Sequence, residues 1–359
     1  MYDLKCLLVG LSLILFLGNV SALCIVHKNL LATKNIYLTN NNGIFDIQHS
    51  DIVANGQSIY LLCNGGVEPT KFQCQSDNNF DPPLNTVMCS APFEPSVVNV
   101  PDTSCPSPFL TYAVGYHVSG RFMELYRNCF DAQHLALQHS IYKVYRHENT
   151  APRPNSPWNS DGISGGFDSA YEGKATQACL QTNLGAKQPQ CRFDRGHMTP
   201  ASAFMFTELK RTTFRYLNAI PQYAGVNRGY WRTIEGWVNS LVMGRNYDVL
   251  KVCTGALGVH RLKHKNSNKF ISIFLLDNDK IPVPEWMYKI VSHLSGDKWV
   301  ILTYNDFNEP SQQALDQMLC QPVNCHPNLH PNKRGVGYTV CCEPYDFITR
   351  NVPHLTGVC

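Results

Sequence analysis

Residues 193–200 read Phe-Asp-Arg-Gly-His-Met-Thr-Pro. Leu217-Asn218-Ala219-Ile220-Pro221-Gln222, Asn227-Arg228-Gly229-Tyr230-Trp231 and Glu235 come close behind. Together these stretches supply an imidazole (His197), a neutral oxygen ligand (Asn227), guanidinium groups (Arg195, Arg228) and a carboxylate (Glu235). That set suits phosphodiester hydrolysis. A neutral imidazole can take a proton from water near physiological pH. The charge building on the phosphorane-like oxygens needs Arg or a hard divalent cation opposite it. The amide oxygen of Asn227 suits Mg²⁺, which keeps several of its waters. Gly196 would let the backbone turn tightly between Arg195 and His197. Plainer readings exist for each piece: a lone His is usually structural, Asn227 could cap a helix, and Trp231 could be core.

These groups need elements to hold them. Trp231, Ile234, Val238, Leu241 and Val242 recur at helical spacing, which predicts a helix over about 228–243 with one apolar face. On an ideal helix Asn227 and Glu235 would stand about 80° apart around the axis and roughly 12 Å apart along it. Both could not readily touch one ion, so Asn227 is the direct ligand and Glu235 acts through water or orients a neighbour. Short strands are predicted at 110–117, 249–254 and 299–303, and the alternation of strands with a few helices implies an α+β domain over residues 105–359.

The charge is uneven. The chain has 30 Lys+Arg against 27 Asp+Glu, a net of only +3, yet residues 192–269 hold 13 basic and four acidic side chains. Such a basic stretch within a near-neutral chain is what a polyanion-binding groove requires, although a solvated basic surface would look the same. His260-Arg261-Leu262-Lys263-His264-Lys265 forms a second basic tract, either a phosphate-binding loop or a plain exposed one.

The remainder speaks to compartment. Lys5, the apolar run Leu7–Leu17 and the exit Gly18-Asn19-Val20-Ser21-Ala22 describe a secretory signal peptide over residues 1–22. No other segment is apolar enough to imply a membrane partner. Of 15 cysteines, Cys6 leaves with the signal, and the even remainder implies seven disulfides in an exported protein. Cys320, Cys325, His326, His330, Cys341 and Cys342 could be drawn as a zinc site, but disulfides account for them better. Residues 23–104 read as a small β-rich module with four cysteines of its own, with a Pro-bearing linker from Pro92 to Pro108. Normal apolar content (44%) with few charged residues (16%) excludes a disordered chain.

The residues of 193–235 resemble the DNA/RNA non-specific endonuclease family, of the Serratia-nuclease and endonuclease G type. Its signature is Asp-Arg-Gly-His, then Asn-x-x-Pro-Gln and Asn-x-Gly-x-Trp-x-x-x-Glu, all present here. In overall style the chain is similar to secreted arthropod members, including salivary and digestive nucleases. The resemblance implies a ββα-metal (His-Me finger) core on a mostly antiparallel sheet. It also implies Mg²⁺-dependent cleavage of DNA and RNA, with Mn²⁺ as a substitute, to 5′-phosphorylated products. By matching position it makes His197 the general base, Asn227 the direct metal ligand and Glu235 its outer-sphere partner. Arg195 would contact phosphate, Asp194 support the loop and Asn218 organise the site. Arg228, Arg232 and Lys263 are the further expected nucleic-acid contacts.

Two departures stand out. The family carries a basic residue one turn after the Glu, where this chain has Asn239; Arg245 is the nearby replacement to consider. An upstream phosphate-binding Arg is also expected, for which Arg153, in a Pro-rich segment, is the candidate. The alternative function is therefore a secreted nucleic-acid-binding protein with the same fold and little turnover. A third reading gives the N-terminal part an inhibitor or toxin role of its own.

Overall fold

The structure is a computed structural model that describes residues 23–359, except 65, 67, 164–165, 186–190, 312–314, 316–319 and 332–336. The signal segment expected at 1–22 lies outside the described residues. Among the described residues no helix is long and apolar enough to cross a membrane.

The expected α+β architecture is present. Its backbone is a nine-stranded sheet in the spatial order 322–323, 339–342, 298–304, 286–292, 249–257, 136–145, 121–131, 110–118 and 96–99. Every neighbouring pair is antiparallel. The middle strands are buried on both sides, because successive side chains point to opposite faces and each face is covered. One face carries Tyr142, Val252, Met287, Val291 and Ile301, which pack with Trp231, Ile234, Val238 and Leu241. The other carries Ile141, Cys253, Tyr288, Ile290 and Leu302, closed by Phe347 and Ile348 of the C-terminal helix Pro344–Asn351.

The apolar helix face predicted from spacing is buried as expected, but the helix itself is Arg232–Met243. The five residues before it, Asn227–Trp231, form a π turn in which Gly229 (φ −93°, ψ −116°) leaves helical geometry. Asn227 and Arg228 are both tied to a neighbouring strand at this point, and the chain bends at Gly229 to allow it. The ideal-helix separation of Asn227 and Glu235 therefore does not apply.

Six disulfides form among the described residues instead of seven. Cys179 and Cys191 are the two cysteines outside them, one exposed on a helix and one buried. Cys320–Cys342 and Cys325–Cys341 account for the cysteines of the imagined zinc site. Cys253–Cys359 ties the C-terminus to a central strand across 106 residues, which in the chain-entropy picture is worth about 4–5 kcal/mol.

The N-terminal part holds a five-stranded sheet, ordered 44–47, 37–41, 58–61, 70–74 and 80–81, with Cys24–Cys74 and Cys63–Cys89 closing it internally. Asn42 (φ 53°) and Gly43 (φ 88°) make the two-residue hairpin turn between its first two strands, where both positions need positive φ. The segment expected to be a linker is not free. Ser96–Asn99 is the edge strand of the nine-stranded sheet, and Cys105–Cys129 staples the next stretch to strand Arg121–Asp131. Buried residues of both parts form one continuous core, with Tyr37 and Phe206 in ring contact at 5.9 Å.

Candidate active site

Phe193–His197 and Ala219–Tyr223 pair as a two-stranded antiparallel ribbon that runs on through the π turn into helix Arg232–Met243, the ββα unit. His197 faces Ala219 across the ribbon, and Asp194 faces Gln222. Gly196 lies within the strand and makes no turn. It is glycine because the Gln222 side chain crosses it: a Cβ there would come within 2.1 Å of Gln222 Cδ.

Arg195 and His197, two residues apart on a strand, project to the same face. Both meet Trp158: its ring is 4.8 Å from the imidazole and 5.7 Å from the guanidinium carbon. Phe214 stands edge-on to the imidazole at 5.0 Å. With those walls His197 is 7% exposed, and its buried Nε2 makes no hydrogen bond among the described residues. Burial first, then the nearby charge of Arg153, pull its pKa down to about 3. The ring is therefore neutral at physiological pH. The Arg195 guanidinium is framed by Trp158, Tyr171 and Tyr216, with Asp168 3.8 Å away.

Asp194 points the other way, toward the π turn. Its Oδ2 accepts from Asn227 Nδ2 at 3.0 Å, and both its oxygens accept from Arg228 at 2.7 Å. The amide nitrogen of Asn227 is thereby committed, leaving Oδ1 as its metal-capable atom. Asn218 is fully buried: it accepts from Thr199 N–H at 2.8 Å and donates to the carbonyls of Thr199 and Thr213 at 2.9 Å. Those bonds tie the residues just after His197 to the ribbon's second strand.

Glu235 is half-buried on the first turns of the helix. Burial raises its pKa, opposed by the charges of Lys289, Arg153 and Arg232. Lys289, fully buried, alternates with Met287 and Val291 and so faces helix Arg232–Met243. Its Nζ donates to Tyr142 Oη at 3.0 Å and Thr254 Oγ1 at 2.7 Å, and it lies 5.0 Å from the centre of the Trp231 ring. Burial lowers the lysine's pKa, and the Glu235 charge opposes that shift.

A cleft of about 820 Å³ lies beside this assembly, lined by Arg153, Lys174, Arg192, Arg195 and Arg228 with Trp158 and Asn227; the buried His197 and the half-buried Glu235 are not among its lining residues. Only Glu172 and Asp194 among its lining residues are acidic, so the cleft is net basic, although of the basic stretch 192–269 only Arg192, Arg195 and Arg228 line it. No group of three or more His, Cys, Asp or Glu capable of holding a metal occurs among the described residues. A donor set of one amide oxygen, with a carboxylate nearby and room for water, suits a hard, well-hydrated divalent cation rather than zinc.

Some expected residues are not brought to the cleft. Arg245, just past the end of the helix, pairs with Glu148 at 2.9 Å and is not among the cleft lining; Lys289, from the sheet, is the cation with the largest effect on Glu235. Lys263 sits on an exposed hairpin, Arg261–Lys263 with Phe270–Ser272, away from the cleft lining. His260, in the same tract, is buried 3.0 Å from Asp306 and is no surface ligand. Arg232 is exposed and acts on Glu235 at a distance. Sequence pattern does not point to Trp158, Phe214 or Lys289. The only available signal is a lone Lys within the apolar run Trp286-Met287-Tyr288-Lys289-Ile290-Val291.

Residues 105–347 match the family described as DNA/RNA non-specific endonuclease. A salivary endonuclease of Lutzomyia longipalpis is 27% identical over 316 residues, covering 82% of this chain and 73% of that protein. One of Culex quinquefasciatus is 21% identical over 329 residues, covering 85% and 76%. Nuclease C1 of Cunninghamella echinulata var. echinulata is 34% identical over 127 residues, covering 34% of this chain and 47% of that protein. Among solved structures, one titled as the EndoG/EndoGI complex aligns with a TM-score of 0.38 at 19% identity, over 52% of this chain and 74% of that one. The family match takes in the ribbon, the π turn and the helix that carry this site, and the chain belongs to the DNA/RNA non-specific endonuclease family of nucleic-acid-cleaving enzymes.

Proposed function

We propose that the protein is a secreted, divalent-metal-dependent endonuclease that cuts DNA and RNA with little sequence preference. The observation that carries this reading is the shared orientation of Arg195 and His197 against Trp158, beside an Asn227 whose amide is set by Asp194. Arg153, Arg195 and Arg228 bind the phosphate backbone in the basic cleft. Phosphate contacts carry little base information, which accounts for sequence tolerance. Neutral His197 accepts the proton of the attacking water, the water oxygen bonds to phosphorus, and the P–O3′ bond breaks. The 3′ oxygen takes a proton from solvent, leaving 5′-phosphate and 3′-hydroxyl ends. A phosphate between Arg153 and His197 would offset the arginine's charge and make the imidazole a stronger base. Mg²⁺ held at Asn227 Oδ1, with Mn²⁺ as a substitute, would supply charge stabilisation at the scissile phosphate. Glu235 would act on it through water, and the charges of Lys289, Arg153 and Arg232 favour the ionised carboxylate against burial, which raises its pKa.

The six disulfides support a secreted location, and so do the expected signal segment and the salivary relatives. The test incubates the protein with plasmid and with RNA, with Mg²⁺ and with EDTA, beside His197→Ala. Degradation that stops in EDTA and in the variant is the expected result. If the wild type only retards nucleic acid on a gel, the binding-protein reading replaces this one.

A further inference from the structure

The N-terminal part has no residue in the cleft lining, yet one of its carboxylates holds the chain segment that leads into it. Asp51 is completely buried. Its oxygens accept from Glu148 N–H at 2.8 Å, Asn149 N–H at 2.7 Å and the Asn149 side-chain amide at 2.9 Å. Just before this, His49 stacks on Tyr145 with ring centroids 4.0 Å apart. Just after it, Ala151 donates to Met205 O at 2.8 Å, and Lys210 Nζ donates to Thr150 Oγ1 at 2.8 Å. Met205 adjoins Phe206, the residue in ring contact with Tyr37 of the N-terminal sheet. Residues 145–149 are thus gripped directly from the N-terminal part, while Thr150 and Ala151 are held by Lys210 and Met205 of the nuclease part.

The chain then continues into Pro152-Arg153-Pro154. Each proline fixes its own φ near −65° and keeps the preceding residue extended, so this stretch is stiff. Arg153 is itself exposed, so packing does not fix it beyond a cation–π contact with Phe214 at 5.3 Å. Its place near His197 is inherited from the anchored backbone just upstream. A small displacement at Glu148–Asn149 would pass along that stiff chain to the guanidinium, and a shift of about 1 Å at a reacting centre can cost on the order of a hundredfold in rate.

We propose that the N-terminal module is a positioning element of the nuclease, and that Asp51 sets Arg153 over the scissile phosphate by clamping the backbone of Glu148 and Asn149. This rests on the reading of Arg153 as a phosphate contact. It assigns the module a part in the chemistry rather than an activity of its own.

The test uses the full chain with Asp51→Ala, the milder Asp51→Asn, Arg153→Ala and the double variant Asp51→Ala/Arg153→Ala, each confirmed folded by a cooperative melt. Initial rates give kcat and KM on plasmid with Mg²⁺, and hydrogen exchange tracks residues 146–153. Asp51→Ala should speed exchange there and lower kcat by about tenfold or more, with less change in KM. In the Arg153→Ala background the same change should alter kcat less than about twofold. Asp51→Asn should fall between. Equal losses in both backgrounds would show that Asp51 acts on stability alone and would overturn the proposal. An unchanged kcat in Asp51→Ala, or in Arg153→Ala, would overturn it as well. The nuclease reading itself is decided by His197→Ala in the same assay, so the two failures give different patterns.

Discussion

Asn227 donates its amide N–H to Asp194 at 3.0 Å, and that single bond decides which end of the amide faces the cleft. Without it the side chain could flip and present nitrogen where a cation needs oxygen. Arg228 holds the same carboxylate from the other side, so Asp194 is oriented as firmly as it orients.

Asp194→Ala should therefore weaken divalent-metal binding with no ligand removed. Partners that fix a metal ligand are commonly worth 10- to 100-fold in affinity, and a loss in that range is expected. Calorimetric titration with Mn²⁺ measures it without reference to turnover. Undiminished binding would mean that Asn227 is held by something else.

Acid should destabilise the fold through buried histidines. Burial lowers the pKa of His197 and His139 to about 3 and that of His49 to about 4. In the unfolded chain each titrates near 6.5. Below that value the unfolded state binds more protons, so stability is complete above pH 6.5 and falls as the pH drops toward 4. Each group contributes up to about 1.4 kcal/mol per pH unit in that window. Denaturant melts between pH 4 and 8 report the slope, and a flat profile would contradict the burial of these rings. NMR of His197 should show no protonation near pH 6.

Gly196→Ala should destabilise the ribbon, because its Cβ would land 2.1 Å from Gln222 Cδ. Overpacking of this kind typically costs ~1–3 kcal/mol. The diagnostic experiment is the pair Gly196→Ala/Gln222→Ala. Removing the crossing side chain should restore much of the lost melting temperature, which a conformational requirement for glycine would not allow.

Lys289→Met removes the buried cation from the side of Glu235. Glu235 is half-buried and Lys289 acts on it without a direct ion pair, so the loss should lie below the roughly 3–5 kcal/mol of a broken buried pair. Neutralising both, in Lys289→Met/Glu235→Gln, should be less damaging to stability than the lysine change alone. Urea unfolding of the four proteins closes the cycle, and simple additivity would show that the two charges do not interact.

Much of the site was readable because its chemistry is local. Asp194, Arg195, His197, Asn218, Asn227 and Glu235 lie within 42 residues, on a ribbon and a helix whose hydrogen bonds and apolar face arise from short-range spacing. The helix face was legible for the same reason: burial of Ile234, Val238 and Leu241 requires only a 3.6-residue period. Strand alternation made the α+β class visible. The cysteine count indicated an oxidised protein, without its pairing.

What could not be read depends on contacts across long separations. The walls of the His197 pocket come from Trp158 and Phe214, and the buried charge beside Glu235 comes from Lys289 on a sheet strand. The clamp on the Arg153 segment comes from Asp51, almost a hundred residues earlier. Nothing in local periodicity encodes which strands become neighbours, and a lysine in an apolar run has no meaning until its neighbours are known. The sequence by itself determined which groups could do the chemistry and the two local elements that carry them. The tertiary structure decided their protonation and orientation, because both are set by burial and by charges brought near only when the sheet assembles.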